Sequence, residues 1–182
     1  MCGITGFLGG DCTNTTLNES TLLDMADQLL MRGPDSSGIW LDASAKIGLA
    51  HRRLAIVDLS AAGHQPMSSG SDRYVITYNG EIYNTSEIRH DLTGARLQPK
   101  WRGHSDTETL LAAFDVWGIK ETITRVKGMF AIAVWDKECE ELSLVRDRIG
   151  EKPLYYGFQN DTLLFGSDLN SLKQHPDFKG EI

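Results

Sequence analysis

The segment MFAIAVW, residues 129–135, constrains the chain more than any other stretch. Successive residues of an extended backbone point to opposite faces. Here both sets are apolar, with Phe130, Ile132 and Val134 on one face and Ala131, Ala133 and Trp135 on the other. Such a strand needs one layer packed above it and another below. Strand-like runs precede it at SGIWL (37–41), KIGLAH (46–51), RLAIV (53–57) and RYVITYNGEIYN (73–84), and follow it at ELSLVRD (141–147), LYYGF (154–158) and LLFGS (163–167). Helical patterns lie between the two blocks. This order predicts an α+β chain: a four-layer α/β/β/α sandwich of two stacked, mostly antiparallel sheets.

Local signals sharpen the elements. CGITGFLG (2–9) reads as a buried strand. TLLDMADQLLMRG (21–33) predicts a helix with Leu22, Leu23, Ala26, Leu29 and Leu30 on one face, Thr21 and Asp24 as a capping box, and Gly33 and Pro34 as the stop. TSEIRHDL (85–92) reads as a short helix. In SDTETLLAAFDVWG (105–118), Ser105 is the N-cap, Glu108 completes the box and Gly118 ends the helix. DLNSLKQH (168–175) predicts a last helix.

Composition bounds the function. The 182 residues are 41% hydrophobic and 24% charged, the profile of one globular domain, 1–182, with a sizeable core. No apolar run approaches a membrane span, and the start lacks a basic segment leading into an apolar leader. The net charge of −7 argues against nucleic acid or anionic lipid as main partner. Cys2, Cys12 and Cys139 form no CxxC pair and no zinc-like spacing. Reduced thiols in a cytoplasm are the simplest expectation.

Cys2 stands directly behind the start methionine. As an ordinary residue it is a small side chain packing in a strand. If Met1 is removed, however, Cys2 carries both a thiol and a free α-amine. An α-amine titrates near ~7.7–8, close to operating pH, which suits a general base. Nucleophile and base then belong to one residue. Such chemistry fits acyl transfer through a thioester and a tetrahedral oxyanion, which needs hydrogen-bond donors.

Seven segments occur in order: MCGITGF, MRGPDSSGIW, LAHRRLAIVDLSAAGHQPM, YNGEIYN, HSDTETLL, GMFAIAVWD and RDRIGEKPLYYG. Together they resemble the class II glutamine amidotransferase domain of glutamine-hydrolysing asparagine synthetases, and the resemblance covers nearly the whole chain. It implies the fold of the N-terminal-nucleophile (Ntn) hydrolases and hydrolysis of L-glutamine to glutamate and ammonia. Cys2 would be the nucleophile. The Asn79 side-chain amide and the Gly80 backbone N–H would form the oxyanion hole. Arg53 would hold the α-carboxylate of glutamine, Glu81 and Asp106 its α-amino group, and the backbone at Ile56 and Val57 would line the pocket. Gly3, lacking a side chain, would leave room beside the thiol.

Each of these residues also has an ordinary reading. Asn79 followed by Gly80 between strand-like runs is first a hairpin signal, fitting a type I′ turn. Arg53 beside Arg52 suits a solvated strand edge, Asp106 a first helical turn, and Glu81 an exposed strand position. His51, His64 and His104 read as structural residues or pocket walls. Two positions depart from the family pattern: Met31 replaces a histidine before RGPD, and SDLNSL stands near the end where a Ser-Glu and a Lys-Ala pair are usual.

The resemblance further implies a synthetase domain in cis, which would use ATP and magnesium to activate aspartate and receive the ammonia. Its SGGxDS motif does not occur in this sequence. The glutaminase step itself calls for no cofactor or metal, and a homodimer stays open. A synthetase-facing surface would show as an exposed apolar patch. The alternatives are a related amidotransferase with another carboxylate or sugar acceptor, a cysteine Ntn hydrolase of a different amide, and a non-catalytic docking domain.

Overall fold

The computed structural model describes residues 2–10, 15–55, 63–94 and 100–180, with only the backbone at 15–18. The doubly apolar segment is β6, Gly128–Asp136. Its Phe130, Ile132 and Val134 pack beneath α2 (Thr85–Thr93) and α3 (Asp106–Arg125), against Ile88, Leu92, Leu110, Leu111 and Phe114. Its Ala133 and Trp135 instead meet Ile47, Leu49 and Phe165 of a second sheet. One strand thus belongs to two cores, and full burial of each large side chain contributes roughly 1.5–3 kcal/mol.

Two antiparallel sheets result. One has the order β2-β3-β1-β9-β8, with β1 at Gly3–Gly9, β2 at Ser36–Asp42, β3 at Ile47–Arg53, β8 at Tyr155–Gln159 and β9 at Thr162–Gly166. The other has the order β4-β5-β6-β7, with β4 at Met67–Ser68, β5 at Tyr74–Ile82 and β7 at Glu141–Arg146. The outer face of the first sheet is covered by α1 (Thr15–Asp27) and α4 (Leu169–Leu172), where Leu22, Met25, Ala26 and Leu172 meet Phe7, Ala50 and Leu164. The layers therefore run α/β/β/α, as the sequence predicts. Two cross-sheet hydrogen bonds lock the stack near the middle of β3 and β5: Thr77 Oγ1 to Ala50 O (3.1 Å) and His51 Nε2 to Tyr78 O (3.1 Å).

Several local expectations change. The first helix starts at Thr15, so Thr21 lies inside it and is not its cap. Its buried stripe is Leu22, Met25 and Ala26, the spacing of one helical face, and Leu29 in the following turn is buried beside it. Leu23 and Leu30 fall outside that stripe and are exposed. Of RLAIV, Arg53 ends β3 and Leu54 and Ala55 lie outside any strand, while Ile56 and Val57 lie outside the described residues. Asn79 and Gly80 make no hairpin, because β5 runs straight through them in register with Ala131 and Phe130 of β6.

At α3, Ser105 accepts the Glu108 N–H (3.2 Å) as an N-cap should. Glu108 reaches past Ser105, accepting the N–H groups of Arg102 (2.6 Å) and Gly103 (3.0 Å). Gly118, at φ +76°, ends one helical stretch, and a second continues to Arg125. The edge strand β8 exposes Tyr156 and Phe158, on the same face as Phe165 but beyond the cover of the second sheet. No helix among the described residues is long and apolar enough to cross a membrane.

Candidate active site

Cys2 immediately precedes β1, an interior strand of its sheet, which ties this end of the chain between β3 and β9. The thiol rests on the chain just past β3: Leu54 N–H donates to Sγ (3.4 Å), and Sγ lies 3.6 Å from Leu54 O. The space beside Gly3 is not free for substrate. A Cβ there would lie 2.9 Å from Leu29 Cβ, so the glycine serves the packing of the turn after α1.

The thiol opens into a cavity of about 190 Å3. That is smaller than the ~300–1,000 Å3 typical of drug-sized ligands and suits an amino acid. Cys2, Arg53, Asn79, Gly80, Glu81 and Asp106 all line it. Ile56 and Val57 lie outside the described residues. His64 and His104 are exposed and stand away from this wall.

Asn79 is presented by the inner face of β5, which it shares with Val75 and Thr77. It is 2% exposed, and its buried Nδ2 has no hydrogen-bond partner among the described residues. An unsatisfied buried donor costs about 1–3 kcal/mol, so the amide is held ready for an acceptor that arrives in the cavity. Gly80 follows, packed closely on β6. A Cβ there would collide with Met129 O and lie 2.8 Å from Phe130 Cα.

Arg53, the last residue of β3, is buried, and its guanidinium lies where a Cβ on Gly63 would be. Glu81 is exposed at the rim. Asp106 opens α3 and accepts from Tyr78 OH (2.6 Å), Ile82 N–H (3.1 Å) and Thr107 N–H (3.0 Å). Burial outweighs these donors and raises its carboxyl above the usual range. The same burial, with the Asp106 charge beside it, pushes the Tyr78 phenol well up.

Wall residues that the sequence reading omits include Gln65, Tyr78, Thr107 and Lys152. Gln65 accepts the Tyr78 N–H (2.7 Å) and donates to Thr107 Oγ1 (3.2 Å), joining the start of α3 to β5. Gln65 lies in GHQPM and Lys152 in GEKPLYYG, both quoted above, so the motifs mark their importance but not their position. His51 is a wall residue as expected. Burial lowers its pKa to about 4, and its Nε2–H donates to a carbonyl, so it is no base for Cys2. Among the described residues no cluster of His, Cys, Asp and Glu could hold a metal.

A thiol at the tip of an interior strand, beneath two stacked sheets flanked by helices, is the architecture of an Ntn hydrolase. Solved structures share it. Glutamine phosphoribosylpyrophosphate amidotransferase from B. subtilis, complexed with ADP and GMP, superposes with a TM-score of 0.73 at 20% identity, over 94% of this chain and 43% of that one. A structure described as the allosteric regulatory enzyme of purine biosynthesis gives 0.76, also at 20% identity, over 95% and 43%. Identity this low speaks for the fold alone.

The family model of the glutamine amidotransferase domain matches residues 1–182, and the chain belongs to that family. Among curated relatives, asparagine synthetase [glutamine-hydrolyzing] 3 of Bacillus subtilis (strain 168) is 39% identical over 100% of this chain and 29% of its own length. Asparagine synthetase [glutamine-hydrolyzing] 1 of the same organism is 37% identical over 94% and 26%. Amidase chry2 of Gibberella zeae is 32% identical over 94% and 26%. The chain thus spans less than a third of the length of these relatives.

Proposed function

We propose that this domain hydrolyses L-glutamine to glutamate and ammonia through a γ-glutamyl thioester on Cys2. The observation that carries the reading is the buried, unpartnered Asn79 Nδ2 on the same cavity wall as the Cys2 thiol. A zwitterionic amino acid needs a cation at one end and anions at the other, and Arg53 with Asp106 and Glu81 supply both. An apolar acyl group would have no use for three charges, which counts against other cysteine Ntn hydrolases.

Once Met1 is gone, the Cys2 α-amine takes the thiol proton, directly or through a water, and Sγ attacks the side-chain carboxamide carbon. The oxyanion accepts hydrogen bonds from Asn79 Nδ2 and Gly80 N–H. Collapse expels ammonia with the proton returned by the amine, and water then cleaves the thioester. No step needs a cofactor or metal. The ammonia goes to a synthetase domain of the same polypeptide, whose ATP and magnesium would activate aspartate. The asparagine synthetase relatives and the uncovered aromatics Tyr156 and Phe158 on β8 support this extension. The amidase relative keeps a different acceptor as the second reading.

The test is intact-mass analysis after treatment with the glutamine analogue 6-diazo-5-oxo-L-norleucine. Expected are loss of the methionine mass and one adduct, on Cys2. Retained Met1 without an adduct would overturn the reading. In the same preparation Asn79→Ala should slow turnover by about two to three powers of ten while still binding glutamine.

A further inference from the structure

Asp106 must be charged to meet an ammonium, yet burial works against that charge. One wall residue is built around it. Tyr78 is 3% exposed, and its ring belongs to the core beneath α2 and α3. Both of its backbone polar groups are engaged: its N–H donates to Gln65 Oε1 (2.7 Å), and its O accepts from His51 Nε2 (3.1 Å). Its hydroxyl donates to Asp106 Oδ2 at 2.6 Å, the length of a charge-assisted O–H···O⁻ bond. Gln65 Nε2 in turn donates to Thr107 Oγ1 (3.2 Å). The chain of bonds from Tyr78 through Gln65 to Thr107 therefore ends one residue along α3 from the carboxylate that Tyr78 holds.

The polarity of the 2.6 Å bond follows from its surroundings. Asp106 Oδ2 also accepts the Ile82 N–H (3.1 Å), so it serves as an acceptor to both groups. Burial and the neighbouring charge push the Tyr78 phenol well up, so the proton stays on the tyrosine. Oδ1 accepts the Thr107 N–H (3.0 Å), and a carboxylate oxygen can take two donors. We propose that Tyr78 is a positioning residue of the glutamine site: its hydroxyl occupies Oδ2, steadies the Asp106 charge and leaves Oδ1 to accept from the α-ammonium of glutamine. The proposal rests on the glutaminase reading.

The experiment measures the Kd for glutamine against pH in Cys2→Ala, which cannot react, and in Cys2→Ala/Tyr78→Phe. The phenylalanine keeps the ring and both backbone bonds and removes only the hydroxyl. At pH 7, Kd should rise about five- to tenfold. A donor to the charged form is lost, so the Asp106 carboxyl should protonate more readily, and binding should weaken on acidification at a pH higher by about half a unit or more. Cys2 is absent from both proteins. The other groups around Asp106 (His51 and Arg53 on β3, Glu81 on β5, Lys152 after β7, His104 before α3 and Glu108 on it) are the same in both. With Asp106→Asn added to each protein, the hydroxyl has no charge to steady, and Tyr78→Phe should change Kd by less than about twofold. That pair also serves if Cys2→Ala/Tyr78→Phe does not fold, because it carries no carboxylate left short of a donor. An unmoved Kd and acid limb, an equal loss with and without Asp106→Asn, or a fall in Tm with unchanged Kd of the folded molecules would each overturn the assignment. A Cys2→Ala protein that binds no glutamine overturns the glutaminase reading itself, so the two failures are distinguishable.

Discussion

Two aspartates behave in opposite ways: Asp106 lines the pocket, and Asp147 stands behind it, holding the backbone of the wall residue Lys152. Asp147, in the turn after β7, accepts the N–H groups of Ile149, Gly150 and Glu151 on Oδ1 and those of Phe130 and Lys152 on Oδ2. This backbone cradle lowers its pKa to about 2 in spite of burial. Asp106 has one hydroxyl and two N–H donors, and burial wins, so its pKa rises. A carboxylate whose lone pairs are filled by backbone is a knot in the fold. One left short of donors beside a cavity has capacity for a ligand. Asp147 has five backbone donors where Asp106 has one hydroxyl and two N–H groups, and this difference in supply goes with the opposite shifts.

Of the two, removing the charge at Asp106 should have the larger effect on activity. Asp106→Asn keeps an acceptor for Tyr78 or Ile82 but cannot pair with an ammonium. We expect kcat/KM for glutamine to fall about a hundredfold or more, carried mostly by KM, with Tm lowered by only a few degrees. A variant that loses kcat alone would break the ligand role assigned to Asp106.

Asp147→Ala should reverse that profile. Five N–H groups lose their acceptor, at a stability cost of about 3 kcal/mol. For a chain of this size that is a fall in Tm of roughly 6–12 °C, measurable by calorimetry. KM should stay within about twofold. A KM change as large as that of Asp106→Asn would erase the distinction between knot and ligand group.

Much of the fold could be read because it is written in periodicity. The two apolar faces of β6 announced both sheets, and Ser105 announced the start of α3. The errors arose where local preference met a tertiary constraint. Asn79 with Gly80 favours a type I′ turn on its own, and only pairing with Ala131 and Phe130 keeps it extended. Among the described side chains of α1 the buried stripe begins at Leu22, and the preceding Glu19, Ser20 and Thr21 are polar, so the sequence places the start of the helix too late. Cys2, Arg53, Asn79, Gly80, Glu81 and Asp106 were found through motif resemblance, and the cavity brings all six together. Asp147 was invisible as a clamp because its donors are backbone groups, which the sequence does not distinguish. Lys152 was missed because the cavity wall it shares with Cys2, Arg53 and Gly80 joins residues far apart along the chain.

The smallest expected effect is also the finest test of the two aspartates, because acid should reach them in separate windows. Only the ionised form of Asp106 pairs with the α-ammonium of glutamine. Its raised pKa means that binding weakens at a higher pH than it would for a carboxylate at the usual 3.8. For Asp147 the folded pKa, about 2, lies below the unfolded one. Its stabilising contribution is therefore complete above the unfolded value and is lost only as pH falls through it toward about 2. The Cys2 amine also titrates near neutrality, so the readout is the Kd for glutamine of a Cys2→Ala variant, which cannot react. As pH falls from 7, Kd should begin to rise above the range of an ordinary carboxylate while Tm still keeps the Asp147 contribution. Below pH 4 the Tm difference between Cys2→Ala and Cys2→Ala/Asp147→Ala should shrink toward zero. A Kd that stays flat while Tm falls would show Asp106 to be as fully satisfied as Asp147, and the ammonium would then have to be assigned to Glu81 alone.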